Sequence, residues 1–246
     1  DMDGIYIPEF SNNAKIALID DMKNAYHITQ PIITKTDEED YKTVFSDSIM
    51  LNVSRGCTRG CRFCMSSYLY RPLRETTIKE LVDIALKTRE NTNLNKITLI
   101  GAAVGDYYDL EGLTTALESE GFQIATPSLR IDSLSRETLE TLKKSGLKSI
   151  TIAPESISTL RERINKSISD EKIFSVIKNA VDLDFNIKLY FLIGIPYESK
   201  EDIEELANYI EKIANMHKNR KYIKFSINPV IPKPQTPLQW EVYNFK

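Results

Sequence analysis

From residue 47 onward, the chain alternates short apolar runs with segments whose apolar residues recur at helical spacing. The apolar runs are rich in β-branched residues and contain few polar positions, which is typical of parallel strands covered on both faces. They predict six strands, at residues 48–53, 96–100, 122–126, 149–153, 188–193 and 222–227.

The segments between these runs carry the signals that begin and end helices. Thr77 and Glu80 have the spacing of a capping box at the start of a helix over residues 78–86. Gly146 predicts the end of the helix before the fourth strand, because glycine readily adopts the left-handed conformation of a helix stop. Two further helices are predicted to begin at Asp170 and Ser199, and residues 109–120 form a weaker candidate.

Six strands, each but the last followed by a helix, predict an α/β fold. Both a wound parallel sheet and a partial (β/α)6 parallel barrel satisfy this order, since both use right-handed crossovers. In either architecture, functional side chains gather at the C-terminal ends of the strands.

Residues 1–45 follow a different pattern. Short strand candidates at 5–7 and 15–19 flank a polar turn at 11–13, and an acidic loop follows at 36–40. We therefore predict an N-terminal hairpin and linker over residues 1–45, interpreted as the remnant of an upstream domain, and a core domain over residues 46–246.

Charge and composition exclude several classes of protein. The chain has 32 basic and 35 acidic side chains and a formal charge of -3, which indicates no general attraction for nucleic acid or for an anionic membrane. It contains no run of about 18 apolar residues, so the sequence predicts no membrane span. No signal-peptide pattern is visible at the start, and we expect a cytoplasmic location.

Three cysteines, the only ones in the chain, carry the candidate chemistry. Cys57, Cys61 and Cys64 form a C-x3-C-x2-C stretch directly after the first predicted strand. An odd number of clustered cysteines does not suit a disulfide framework, whereas free thiols suit a reducing compartment. Three thiolates in one loop can hold three irons of a [4Fe-4S] cubane and leave the fourth iron open.

A zinc site is the alternative interpretation of the same cysteines. Tetrahedral structural zinc needs four protein ligands. The only histidines, His27 and His217, are far from the cysteines in sequence, so no fourth ligand is evident.

The cysteine spacing, the aromatic residue before the third cysteine and the position after the first strand resemble the radical S-adenosylmethionine (radical SAM) superfamily. The resemblance extends over residues 47–240. Taken together, several phrases of the sequence resemble a radical SAM group whose members carry a cobalamin-binding-type domain upstream. The phrases that carry it are residues 55–64, 70–75, 127–130, 153–155, 164–166 and 232–240.

This resemblance implies cofactor contacts near the cysteines. Cys57, Cys61 and Cys64 would ligate a [4Fe-4S] cluster, and Phe63 would lie beside the adenine of S-adenosylmethionine. Residues 101–103 (Gly101, Ala102 and Ala103) take the place of the glycine-rich segment that contacts the methionyl amino group, although they depart from the usual Gly-Gly-Glu. A strand end of small residues without a ligand is the alternative.

The resemblance also implies contacts after the later strands. Ser128 and Arg130 could meet the methionyl carboxylate or the substrate, with a surface salt bridge as the alternative for Arg130. Glu155 could accept hydrogen bonds from the ribose hydroxyls, or else cap the next helix. Ile193 and Gly194 would flank the adenine, although Tyr190 replaces the first glycine of that family motif.

Five arginines form the densest basic group of the chain and surround the cysteine stretch. They could bind an anionic substrate, offset the charge of the cluster and its thiolates, or remain solvated loop residues. The group comprises Arg55, Arg59, Arg62, Arg71 and Arg74.

The resemblance implies an enzyme that reductively cleaves S-adenosylmethionine to a 5′-deoxyadenosyl radical, which abstracts hydrogen from an unknown substrate. An electron donor such as ferredoxin or flavodoxin would be its partner. Cobalamin-assisted methyl transfer or rearrangement is the leading subtype. No D-x-H-x-x-G cobalamin signature occurs in this chain, so we expect any cobalamin to bind a domain outside it.

Two other functions are retained as alternatives. A tRNA or protein methylthiotransferase normally needs three further cysteines for a second cluster, and this chain has none to offer. A non-catalytic iron-sulfur binding module is the second alternative, although the presence of all three cysteines argues against a degenerate site.

Overall fold

The computed structural model describes residues 4–10, 16–33, 45, 47–126, 128–218 and 222–242. All six predicted strands are present, with ends within two residues of those predicted, and a small antiparallel pair joins them. The strands are β1 (Ile49–Asn52), β2 (Ser54–Arg55), β3 (Arg74–Glu75), β4 (Lys96–Ile100), β5 (Gln123–Ala125), β6 (Ser149–Glu155), β7 (Asn186–Ile193) and β8 (Ile223–Pro229).

Helices separate the parallel strands, as the sequence pattern predicts. Each of the five predicted helices is present, and two short ones, α1 and α5, are additional. The helices are α1 (Ser66–Leu69), α2 (Ile78–Thr92), α3 (Leu110–Ser119), α4 (Arg136–Lys144), α5 (Ser158–Arg163), α6 (Asp170–Asp182) and α7 (Lys200–Ala214).

The helix boundaries follow from local hydrogen bonds. The predicted capping box of α2 is formed, because the Thr77 side chain accepts from the amide of Glu80 while the Glu80 side chain accepts from the amide of Thr77. Ser199 and Asp202 form the equivalent box at α7. The helix α6 begins at Asp170 as predicted, with Ser169 as its N-cap.

The parallel strands form two three-stranded sheets, with orders β1-β4-β5 and β6-β7-β8. A backbone hydrogen bond of 2.9 Å from Leu129 to Thr151 joins the segment after β5 to β6, so the second sheet continues the first. This arrangement is the predicted α/β fold with a partial parallel barrel. The C-terminal ends of its strands lie on one side, which is where such folds carry their sites.

The helices cover the outward faces of the strands and form the core between them. Ile97, Leu99, Ile150, Ile152 and Leu189 are almost entirely buried on the strands. Fully burying one such aliphatic side chain contributes roughly 1.5–3 kcal/mol, so this layer is the main source of stability. The helices meet it with Leu81, Ala85, Leu113, Leu117, Leu139, Leu142, Ile173 and Ile177, which are likewise buried.

The strand β6 ends in an irregularity. Between Ile152 and Glu155 its register shifts against β7, so that one extra residue is accommodated before the strand ends. Glu155 then adopts a φ of 70°, a left-handed conformation that is uncommon for residues other than glycine. This bulge changes the direction of the Glu155 side chain at the end of the strand.

The predicted N-terminal hairpin is not formed in the part of the chain that the structure describes. Residues 5–7 and 16–19 are not strands, because no neighbouring strand pairs with their backbone. The predicted polar turn at 11–13 and acidic loop at 36–40 lie outside the described residues. Two polar side chains from later in the chain hold the N-terminal segment. Arg74 donates to the carbonyl of Ile19 at 2.8 Å, and Asn91 donates to that of Thr29 at 3.0 Å. The division of the chain into two domains at residue 45 remains a prediction.

Among the described helices, none is long and apolar enough to cross a lipid bilayer.

A fully buried arginine ties three elements of the second half together. Arg161 on α5 donates from Nε to the carbonyl of Ile168 at 2.9 Å and from Nη1 to that of Ser156, and it forms an ion pair with Asp170 on α6. Because the guanidinium satisfies two backbone carbonyls in the interior, it fixes the course of the loop between α5 and α6.

We predict that Arg161→Met lowers the free energy of unfolding by about 3 kcal/mol, because it leaves two interior carbonyls without donors. Urea denaturation of the purified variant measures this change. Arg136→Met is the matched control: its ion pairs with Glu140 and Asp182 involve half-exposed side chains and should contribute less than about 1 kcal/mol. Equal losses in both variants would contradict the prediction.

Candidate active site

The three cysteines lie in a loop at the C-terminal end of β1. The short strands β2 and β3 pair antiparallel, with Ser54 opposite Glu75 and Arg55 opposite Arg74, and so bring together the two ends of this loop. All three thiols are free; Cys57 and Cys61 are buried, and Cys64 is half-buried. The loop thus holds the thiols close to the ends of the parallel strands.

Two glycines allow the backbone of the loop to turn. Gly56 has a φ of 89°, and a Cβ atom there would clash with the carbonyl oxygen of Tyr70 and lie 2.5 Å from that of Pro72. Gly60 has a φ of 73°. Both angles fall in the left-handed region that favours glycine. The close approach at Gly56 therefore requires the absence of a side chain as well as the backbone angle.

The donor set fits a three-cysteine cluster, although the side chains are not assembled around a common centre. Within the described ranges, no three Cys, His, Asp or Glu side chains come together as a ready-made metal site. The loop supplies three free thiols and is surrounded by cations, which is the chemistry that an iron-sulfur cluster needs. Closure around a metal would require the thiols to turn toward one another.

A network of two arginines and two aspartates lies beside the cysteines. Arg59 of the cysteine loop donates to both oxygens of Asp106, at 2.8 and 2.7 Å, and lies 3.1 Å from Asp132. Arg130, after β5, makes a two-point contact with Asp132, at 2.8 and 2.9 Å, and its Nη1 lies 4.0 Å from the Sγ of Cys61. The carboxylates thereby fix the arginines, and one edge of Arg130 faces a cysteine.

Burial and charge act in opposite directions on these groups. Burial raises the pKa of the Cys61 thiol, and the positive charges of Lys166 and Arg130 act against that rise. For Asp132 burial also acts to raise the pKa, but the hydrogen bond and charge of Arg130, together with Arg59, bring it below its usual value. The cations therefore favour the ionised forms of both groups.

The segment between α5 and α6 clamps the cysteine loop from the other side. The Arg62 amide donates to the carbonyl of Ile164 at 2.9 Å. The Asn165 side-chain amide donates to the carbonyl of Gly60 at 2.9 Å, and Tyr68 donates to the same oxygen at 2.8 Å. The contacts of Ile164 and Asn165 join residues about a hundred positions apart in sequence, so the second half of the barrel helps to position the cysteines.

Lys166 in this segment pairs with Glu155 at the end of β6. Their Nζ and Oε1 atoms are 2.6 Å apart, and both side chains are 9% exposed. Glu155 does not cap the following helix, since the N-cap of α5 is Ile157 without a side-chain hydrogen bond. The capping alternative for Glu155 is therefore wrong.

The arginines of the cysteine loop are structural as well as basic. Arg62 donates to the carbonyl of Arg163 at 2.7 Å. Arg71 donates to the carbonyls of Cys57 and Thr58, each at 3.4 Å. These contacts hold the loop, so a purely solvated role is wrong for both side chains.

The other predicted cofactor residues also lie at strand ends. Gly101 follows β4, and a Cβ atom on it would lie 2.6 Å from Ser54 Oγ, so the strand end has no room for a side chain there. Gly194 has a φ of 75° and donates its amide to the Glu198 carboxylate at 2.5 Å. Phe63 packs against the core. Ala102, Ala103, Ser128 and Ile193 accompany them at the same edge, while Pro127 lies outside the described residues.

Sequence reasoning missed the partners of these groups. Asp106 and the pairing of Lys166 with Glu155 come from different loops, so no local pattern indicates them, whereas Asp132 lies only two positions after its partner Arg130. The only signal was the phrase at 164–166, which contributed to the family resemblance without a role for its lysine or asparagine.

The comparisons with known proteins identify the family. Residues 51–210 match the model of the radical SAM superfamily. This chain belongs to that superfamily, as the cysteine spacing predicted. The superfamily implies S-adenosylmethionine and a [4Fe-4S] cluster as cofactors.

Two relatives show which proteins this chain resembles and how much of their length it covers. The chain is 38% identical, over 220 residues, to an uncharacterised protein of Methanocaldococcus jannaschii, a match that covers 87% of this chain and 47% of that protein. It is 28% identical, over 181 residues, to the cytidylyl-2-hydroxyethylphosphonate methyltransferase of Streptomyces wedmorensis, covering 69% of this chain and 34% of the relative. The chain thus spans about half of one relative and a third of the other.

A solved structure supports the fold. The radical S-adenosylmethionine methyltransferase TsrM of Kitasatospora setae, solved with cobalamin and a [4Fe-4S] cluster, superposes with a TM-score of 0.64 at 11% identity. The match covers 78% of this chain and 38% of TsrM. At this identity the likeness establishes the shared barrel alone.

We predict that Gly56→Ala destabilises the protein and lowers iron uptake on reconstitution, because the new methyl group would contact two carbonyl oxygens. Gly121→Ala is the matched control: Gly121 has a φ of 80°, but no atom lies within 4 Å of the position that its methyl group would take. Both variants share the conformational cost, so the difference between them, about 2 kcal/mol in urea unfolding, isolates the contact. An equal loss of unfolding free energy in both variants would contradict the prediction, because it would show that the backbone at Gly56 accommodates the methyl group without strain.

We also predict that Lys166→Met lowers the free energy of unfolding by about 3–5 kcal/mol, because it leaves the Glu155 carboxylate buried without its partner. The double variant Glu155→Gln/Lys166→Met should recover much of this loss. A double-mutant cycle from urea denaturation gives the coupling between the two residues. If the unfolding free energies lost in the two single variants simply add up in the double variant, the pair does not contribute to stability and the prediction is wrong.

Proposed function

We propose that this chain is the core of a radical SAM enzyme in which Cys57, Cys61 and Cys64 ligate a [4Fe-4S] cluster. The observation that carries the proposal is the position of these three free thiols, in one loop at the C-terminal ends of the parallel strands, in a member of this superfamily. When bound, the reduced cluster supplies the electron that cleaves S-adenosylmethionine to methionine and a 5′-deoxyadenosyl radical.

The residues around the loop would bind and orient S-adenosylmethionine. Arg130 uses Nε and Nη2 for Asp132 and directs Nη1 toward Cys61, so this edge suits the methionyl carboxylate. Ser128 follows the same strand. Glu155 accepts from Lys166 through Oε1, and its other oxygen, which has no hydrogen-bond partner among the described residues, suits a ribose hydroxyl.

The remaining contacts would surround the adenine and the amino group. Phe63 and the strand end at Ile193 and Gly194 would hold the adenine. The small residues at 101–103 would let the methionyl amino group approach the backbone. Together these groups would exclude water from the site of radical formation.

We propose that the radical abstracts hydrogen from a substrate that this core does not identify and that the overall reaction is cobalamin-assisted methyl transfer. The methyltransferase among the relatives and the cobalamin in the TsrM structure support this subtype. Cobalamin would be held outside this chain, and a ferredoxin- or flavodoxin-type protein of the cytoplasm would supply the electron. A methylthiotransferase is less favoured, because this chain holds only the three cysteines of one cluster.

The proposal predicts that anaerobic reconstitution with iron and sulfide gives a brown protein that cleaves S-adenosylmethionine to 5′-deoxyadenosine after reduction. Alanine at Cys57, Cys61 or Cys64 should abolish the product, because each thiol would ligate an iron. Chromatographic measurement of 5′-deoxyadenosine checks this outcome. Ser67→Ala, at a buried hydroxyl in α1, is a control that should retain it.

Two results would count against the proposal. A colourless protein that binds one zinc ion would replace the cluster with a structural metal site. A brown protein without cleavage would indicate a non-catalytic iron-sulfur module. Dependence of methyl transfer on added cobalamin would separate the methyltransferase subtype from the other radical reactions.

A further inference from the structure

The inner face of the second sheet is polar, whereas its outer face is apolar. Ile187, Leu189 and Phe191 of β7 are buried on the outer face. Because strand residues alternate between faces, the residues between them lie on the opposite side, inside the barrel. These inner positions are Lys188, Tyr190 and Leu192 on β7 and, opposite them in register, Lys224, Ser226 and Asn228 on β8.

Two lysines stand side by side on this face. Lys188 is directly opposite Lys224 in the parallel register, and Thr151 of β6 is opposite Lys188, so the three residues form one row across the sheet. Neighbouring strands are about 4.8 Å apart, and like charges at such positions repel. Both side chains are exposed, so solvent screens part of this repulsion, and an anion bound between them would remove the rest.

No carboxylate of the described residues lies within ion-pair distance of either lysine. The ion pairs of the described chain include neither Lys188 nor Lys224. The Nζ of Lys188 lies over the Tyr190 ring, 4.8 Å from its centroid, and a ring face orients the ammonium group without neutralising it.

A cavity of about 360 Å³ is open beside the two lysines. None of its lining residues is acidic, and several can donate hydrogen bonds. The donors are Ser149, Thr151, Asn186, Tyr222, Lys188 and Lys224. Two ammonium groups with hydroxyl and amide donors match a compact dianion better than a single carboxylate, since lysine binds phosphate as a point charge.

We propose that this cavity binds a phosphoryl group, a phosphate or phosphonate, of the substrate. The inference rests on the proposed function, because it assigns the anchor of the molecule that the radical attacks. Lys188 precedes the end of β7 at Ile193 by five residues, which is roughly 16 Å along a strand. An elongated substrate anchored at the lysines would therefore extend along the inner face to the cofactor end of the barrel.

Isothermal titration calorimetry with inorganic phosphate, at constant ionic strength, tests the site. We expect Lys188→Gln and Lys224→Gln each to weaken phosphate binding about 5- to 10-fold, since each removes a partly solvated charge contact. Lys188→Arg, which keeps the charge, should retain most of the affinity. Lys87→Gln and Lys178→Gln are controls at exposed lysines on α2 and α6, and they should bind like the wild type.

Each outcome decides the inference. Binding that falls in the two glutamine variants and persists in the controls supports it. Undetectable phosphate binding, or binding unchanged by either glutamine, overturns the site, and acetate binding as tight as that of phosphate overturns the phosphoryl assignment. Cleavage of S-adenosylmethionine by the wild type is measured separately, so that failure of phosphate binding with normal cleavage overturns this inference alone. Phosphate binding without cleavage would instead count against the proposed function.

Discussion

The buried pair of Lys166 and Glu155 is the interaction on which the candidate site depends. It joins the bulged end of β6 to the segment between α5 and α6, and that segment holds the backbone of the cysteine loop. Taking both charges out of water is costly, and their close contact offsets that cost only while the geometry is kept. The pair therefore makes the position of the cysteine loop sensitive to the packing of the whole second sheet.

The arginines around the cysteine loop are held in fixed positions by their hydrogen-bond partners. Arg59 and Arg130 are held by Asp106 and Asp132 instead of moving freely in solvent. Arg71 is held by carbonyls of the loop itself. A preorganised set of cations stabilises thiolates without first having to be ordered, which is why the aspartates matter even though they repel negative charge.

Periodicity predicted the parts of the fold that depend on burial. The six strands follow from short apolar runs, and the five helices follow from apolar residues at helical spacing and from their caps. Each of these signals lies within a short stretch of sequence. The hairpin at 5–7 and 16–19 failed for the converse reason: β-branched residues favour a strand only where another strand pairs with it. The helix α5, six residues long, is too short to give a helical period.

The candidate site was predictable only in its cysteines and its location. The roles given to Arg130 and Glu155 by resemblance remain predictions, but their surroundings could not be read from the sequence. Asp106 and Asp132 reach Arg59 from loops 47 and 73 positions away, and such contacts depend on the three-dimensional course of the chain. Local sequence patterns carry no information about them.

The bulge at the end of β6 separates two kinds of structural constraint. Its extra residue separates the regular part of the strand, which is constrained by its pairing with β7 and by the buried Ile150 and Ile152, from the terminal residue Glu155. The bulge therefore lets the strand end depart from the regular ladder while the hydrophobic layer beneath it stays unchanged, and Lys166 holds Glu155 in its new direction. A polar pair thus lies directly beyond a fully apolar layer, and the change of direction at the bulge keeps the two apart.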